Sequence, residues 1–255
     1  MKRVLAIGNS FSQDANKYLQ KISDSAGADI TFYNLFIGGC SFERHWNNIE
    51  KDLPDYDLEM DGETVGKIGL KAALAINKYD YITIQQVSGL SGIEESYHPY
   101  ADNLVKYILK VQPDAEIVVH QTWSYQKTSS HPDFVRYDCD SEKMFNALKK
   151  AYDSLAVKMG ELTPSKKPLR IIPNGQIFQY ARAEEIYADD KICLNRDGFH
   201  ANLIHGRYML AASWFEAFTG MDISAAPYLP EGMTKEEAEV LWKCVNKAMA
   251  EYGWK

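Results

Sequence analysis

Short β-rich apolar runs alternate with amphipathic stretches along this chain, and that alternation restricts its fold more than any other feature. Runs at residues 3–7, 30–37, 79–86, 115–120 and 169–172 have the length and side-chain character of buried strands. Between them, Leu104, Tyr107, Ile108 and Val111 follow the i, i+3, i+4, i+7 rule, and Met144, Leu148, Tyr152 and Leu155 lie on one helical side. A further helix is expected over 14–25. Strands joined through helices form parallel pairs with right-handed crossovers, which put helices on both faces of the sheet. The expected fold is α/β, a three-layer α/β/α sandwich with a central parallel sheet.

A chain of 255 residues with 45% apolar content can fill one large core, so 1–255 is expected to be a single domain. A last helix from about 234, with Val240, Leu241, Cys244, Val245 and Ala248 on one face, should pack on it. Segments 51–63, with Pro54 and Gly62, and 123–140, with Pro132, are expected to be loops near the mouth of a cleft.

Several function classes are disfavoured. A net charge of -7 provides no broad positive field for a phosphate backbone, so nucleic acid is not an expected partner. Cys40, Cys139, Cys193 and Cys244 form no CxxC pair and read as buried thiols. His98, His120, His131 and His205 lack metal-ligand spacing, and His200 and His205 do not share a helical face, so no metal or other cofactor is expected. No run approaches the ~20 apolar residues of a membrane span. Met1-Lys2-Arg3 leads directly into a strand. The chain is expected to be soluble, and either cytoplasmic or, if a leader was removed, secreted or periplasmic.

The chemistry sits at strand ends. The first run stops at Gly8-Asn9-Ser10-Phe11-Ser12, a small-residue turn that can leave the Ser10 hydroxyl at the rim of the sheet. A neutral hydroxyl needs a base, and the base needs an orienting partner. Asp197-Gly198-Phe199-His200 can supply both, with Asp197 in a turn and His200 in the first turn of the helix holding Ile204, Tyr208, Ala211, Phe215 and Phe218. That placement would put the imidazole in the positive end of the helix dipole and keep it neutral. A helix-capping role for Asp197 accounts equally for the four-residue pattern. Donors for a developing oxyanion are the backbone N–H groups of Ser10 and Gly39 and a side-chain amide from Gln85 or Gln86, of which strand alternation lets only one face the cleft. Ser10, Gly39 and the Gln pair follow three different strands, and ligands of parallel sheets gather at the carboxyl ends. Arg44, His45 and Trp46 after the glycine loop could hold a polar end of the substrate. Trp123-Ser124-Tyr125 could line an acyl or sugar pocket.

With these residues in this order, the chain resembles the SGNH, or GDSL-like, hydrolase superfamily. Gly8-Asn9-Ser10-Phe11-Ser12 matches the first block, with Asn9 for the usual Asp and Phe11 for the usual Leu. Gly39 matches the second block, and Asp197 with His200 the last. The usual Gly-x-Asn-Asp of the third block is replaced by Gln85-Gln86-Val87-Ser88-Gly89, so the likeness is to a divergent branch whose first block reads Gly-Asn-Ser-Phe-Ser. The absence of a Gly-x-Ser-x-Gly elbow argues against the ordinary α/β-hydrolase fold. The resemblance implies a flavodoxin-like α/β/α fold and a serine esterase in which Ser10 attacks, His200 moves the proton and Asp197 orients His200. A small acyl ester, acetyl on a carbohydrate above all, is the expected substrate. A thioesterase or lipase of the same fold, and a non-catalytic ligand-binding protein, are the alternatives.

Overall fold

Alternating local preferences are realised along the chain as β1 (Lys2–Gly8), α1 (Ser10–Asn16), α2 (Leu19–Ser25), β2 (Ile30–Phe36) and α3 (Phe42–Lys51). Next come β3 (Tyr56–Met60), β4 (Glu63–Ile68), α4 (Leu70–Ile76), β5 (Tyr81–Ile84) and α5 (Tyr100–Val111). β6 (Glu116–His120), α6 (Ser141–Gly160), β7 (Arg170–Ile172), α7 (Asn174–Ala183), α8 (His205–Thr219) and α9 (Lys235–Glu251) complete the chain. The structure, a computed structural model, describes residues 1–255.

The sheet has seven strands in the order β4-β3-β2-β1-β5-β6-β7. Strands β2, β1, β5, β6 and β7 run parallel, with Val4 opposite Phe32 on one side and Tyr81 on the other. β1 is central, and Val4 to Ile7 are buried on both faces, which is why it reads as a continuous apolar run rather than an alternating one. Val4, Leu5 and Ile7 each contribute roughly 1.5–3 kcal/mol relative to exposure. Helices α1, α2 and α8 pack together, with α9 on α8, while α3, α4 and α5 form the other contacting set. Helix α8 is apolar on nearly every side because it is enclosed, with Arg207 the partly exposed exception in its first turns.

The chain leaves β1 toward β2 and later returns to the opposite side of β1 as β5. A crevice therefore opens at the carboxyl ends of β1 and β5, where parallel sheets of this order bind ligands.

Three expectations are corrected. Segment 51–63 is not a loop: it contains β3, which pairs antiparallel with β2, and the turn into β4, which pairs antiparallel with β3. The sheet is therefore mixed at that edge. Asp61-Gly62, both with positive φ, make the tight turn that joins the two strands. The helix expected over 14–25 is two helices, and the first begins at Ser10 because the Asn9 side chain caps it. Only two of the four cysteines, Cys40 and Cys244, are buried thiols, while Cys139 is exposed. The C-terminal helix begins with a capping box between Thr234 and Glu237. No helix is long and apolar enough to cross a membrane.

Candidate active site

The turn after β1 owes its shape to Asn9. Its Oδ1 accepts from the Phe11 N–H at 3.0 Å, and its Nδ2 donates to the Cys40 carbonyl at 3.0 Å. An aspartate could make the first bond and not the second, so the amide ties the turn carrying Ser10 to the loop carrying Gly39. Ser10 is the first residue of α1, so its N–H has no acceptor within the helix. Gly39 adopts a positive φ in a turn closed by the Cys40 N–H on Ile37 O, and its own N–H makes no turn or cap hydrogen bond. Both residues line the cleft.

The far end of the chain meets this turn. His200 Nε2 lies 2.8 Å from Ser10 Oγ, and His200 Nδ1 lies 2.7 Å from Asp197 Oδ2. With the carboxylate as acceptor, Nδ1 carries the ring proton, and Nε2 presents a lone pair to the hydroxyl. The other oxygen of Asp197 accepts from the N–H groups of Phe199 and His200. Burial pushes the Asp197 carboxyl up, but these three donors outweigh it and hold its pKa below the ordinary carboxylate value. Gly198 between them has φ +86, and a Cβ there would press on Ser129, so this bend requires glycine.

His200 is not in a helix. α8 begins at His205, and residues 195–201 form a loop closed by a bridge between Asn195 and Ala201. His200 therefore does not occupy the first turn of a helix, and the Asp197 contact orients its ring.

Neither glutamine is an oxyanion donor. Gln85 Nε2 donates to Asn9 Oδ1 at 2.8 Å, and Gln85 Oε1 lies 2.7 Å from His120 Nδ1. The unambiguous partners of Asn9 fix its amide, which fixes Gln85 and leaves the proton of His120 on Nδ1. Burial lowers the His120 pKa to about 3, so the ring is neutral. Its Nε2 is buried without a partner, and the Trp214 ring packs against the imidazole in a T-shape. Gln86 Oε1 accepts from the Phe42 and Val87 N–H groups, and its Nε2 donates to Ser96. Both amides are consumed below the cleft floor. Gln86→Leu is accordingly expected to cost about 1–3 kcal/mol of stability through the orphaned N–H groups. Turnover per folded molecule should change by less than about tenfold, whereas loss of an oxyanion donor takes about 10²–10³-fold. Denaturant unfolding and steady-state rates on the same sample separate the two.

The cleft, about 670 Å³, is lined by Ser10, Gly39 and His200 together with Ser88, His131, Asp133 and Arg136. Arg44 is exposed on α3, and Trp46 is packed on the core, so neither lines it. His45 is buried 2.8 Å from the Tyr56 hydroxyl. Trp123 is fully buried as well: its ring stacks between Phe11 at 4.0 Å and Phe178 at 4.8 Å, and its Nε1 donates to Phe199 O. It therefore supports the site from beneath. Asp133 and Arg136 went unnoticed in the sequence, and His131 was weighed there only as a metal ligand, because segment 123–140 has no period from which to place a side chain. Their signal was its position after β6, and Pro132 does mark the short 3₁₀ turn Pro132–Tyr137 that presents them.

A family model described as "Domain of unknown function (DUF4886)" matches residues 3–248. No curated protein matches the chain. The crystal structure of a DUF4886 family protein from Bacteroides uniformis is 37% identical and covers 100% of this chain and 96% of its own, with a TM-score of 0.89. A candidate SGNH hydrolase from Slackia heliotrinireducens is 20% identical, covering 86% of this chain and 99% of its own at a TM-score of 0.57. Axe2, an acetylxylan esterase from Geobacillus stearothermophilus, is 13% identical, covering 87% of this chain and 95% of its own at a TM-score of 0.52. The last two share the α/β/α fold with this chain.

Proposed function

The chain belongs to the DUF4886 family, and from the site that this member carries we propose a serine esterase acting on small acyl esters. The observation that carries the reading is the continuous contact from Asp197 through His200 to Ser10, at 2.7 and 2.8 Å. Ser10 Oγ attacks the ester carbonyl while His200 Nε2 takes its proton, and the ionised Asp197 stabilises the imidazolium. The N–H groups of Ser10 and Gly39 receive the oxyanion. Collapse breaks the bond to the alkoxy oxygen, which takes the proton from His200 and leaves as the alcohol, and water repeats the cycle on the acyl-Ser10.

Acetyl carried by a carbohydrate is the substrate class we favour. The hydrophobic residues of the cleft are Phe36, Val87, Leu90 and Phe199, among serines, glycines and charged side chains. That lining suits a short acyl group and a hydroxylated alcohol better than a lipid chain, which needs a continuous apolar channel. The shared architecture with an acetylxylan esterase supports the same choice by analogy.

A fluorophosphonate probe is expected to label Ser10, located by peptide mass, and p-nitrophenyl acetate to be hydrolysed faster than p-nitrophenyl octanoate. An unlabelled, inert protein would favour a binding role, and a preference for octanoate would favour a lipase or thioesterase.

A further inference from the structure

Asp14 stands one helical turn beyond Ser10 on α1 and is fully buried. Its carboxylate accepts from Arg196 Nη1 at 2.9 Å to each oxygen, from Arg207 Nε at 2.8 Å and from the Ala201 N–H at 3.0 Å. Arg196 Nη1 also donates to the Ala201 carbonyl. Arg196 and Ala201 bracket the segment holding Asp197 and His200, and the Arg196 N–H donates to His200 O. One carboxylate thus grips both ends of the base's loop and fastens them to the helix that carries the nucleophile. On its other flank the loop is held by Trp123, through Phe199 O, and by the Gln126 N–H on Gly198 O. Neither of those contacts reaches α1 by a hydrogen bond.

We propose that Asp14 is a positioning residue that sets His200 against Ser10, acting through Arg196 and Ala201. Ser10 and His200 lie 190 residues apart in the chain, and proton transfer between them tolerates little displacement. A shift of about 1 Å in such a contact can cost about 10²-fold in rate. A carboxylate shared by two guanidiniums and a backbone N–H fixes direction as well as distance. The rate readout rests on the esterase reading, whereas the position readout does not.

The test compares wild type, Asp14→Asn and Arg196→Met, the last leaving Asp14 paired with Arg207 in case the first does not fold. Rates on p-nitrophenyl acetate are divided by sites titrated with fluorophosphonate, so that loss of folded protein is removed from the comparison. The per-site kcat is expected to fall by about 10²-fold in Asp14→Asn and at least about tenfold in Arg196→Met, with KM little changed. In parallel, the ¹⁵N signal of His200 Nε2 is expected to move toward that of Ser10→Ala, where the hydroxyl contact is gone. Per-site rates and a ring signal both equal to wild type would overturn the proposal. If wild type neither labels nor turns over, the esterase reading fails and the ring signal alone decides: a shift upholds the positioning role, and coincidence with wild type removes it.

Discussion

His200→Ala is expected to lower kcat on p-nitrophenyl acetate by about 10⁴–10⁶-fold, Ser10→Ala by a similar factor, and the double variant hardly further. In the proposed reaction, attack and proton removal are one event across the 2.8 Å contact between Oγ and Nε2, so removing either partner removes the whole step. What survives is the contribution of binding and of the Ser10 and Gly39 N–H groups, which no side-chain truncation at these positions deletes. Asp197→Ala should fall short of these losses, because the imidazole retains its place beside Ser10 while losing its orienting acceptor. Multiplicative losses in the double variant, measured under single-turnover conditions, would show that the two residues act in separate steps.

Trp123→Ala is expected to be the most damaging substitution for the fold among those near the cleft. The ring is fully buried and sandwiched between Phe11 and Phe178, with interplanar angles of 10° and 11°. Truncation removes two stacked faces and leaves a void that the parallel sheet beside it cannot close, at a cost of about 3–5 kcal/mol. For a chain of this length that lowers Tm by on the order of 10 °C. Activity should fall further than the folded fraction does. Phe11 follows the nucleophile, and Phe199, whose carbonyl accepts from Trp123 Nε1, precedes the base. Trp123→Phe, which keeps an aromatic face, should recover much of the stability but not that hydrogen bond. Calorimetry together with rates per titrated site separates the two contributions.

The sequence carried the parallel layers well, since β1 is buried on both faces and its run of Val4 to Ile7 has no polar interruption. It carried less of the edge hairpin. Tyr56, Leu58 and Met60 alternate with Asp57 and Glu59, and Asp61-Gly62 follows, yet the charged residues of the stretch and the neighbouring Pro54 gave the segment the appearance of a loop. The meeting of Ser10, Asp197 and His200 was legible because the turn after β1 and the Asp-x-x-His spacing are local properties, although the helix start expected at His200 lies at His205. The destination of Gln85 was not. Two amides at a strand end signal a demand for partners, but whether those partners are a substrate or Asn9 and His120 depends on side chains far away in the chain. The substitution of Asn9 for the usual Asp was the available clue. The start of α8 was also marked: Asn202 Oδ1 accepts from the Ile204 and His205 N–H groups, a capping residue placed after His200 rather than before it.

Two of the interior rings described above have a thermodynamic corollary. His120, under the nucleophile's turn, and His45, beside Tyr56, are both held uncharged, each lowered to about 3, chiefly by burial. In an unfolded chain both would titrate near ~6.5. Denaturation below that value consequently binds protons that the native molecule refuses. Their contribution to stability is complete above about pH 6.5 and is withdrawn as acidity rises toward pH 3, at up to about 1.4 kcal/mol per pH unit for each ring. Acid thus undermines the ground beneath the hydroxyl through His120, and the far side of the sheet edge through His45.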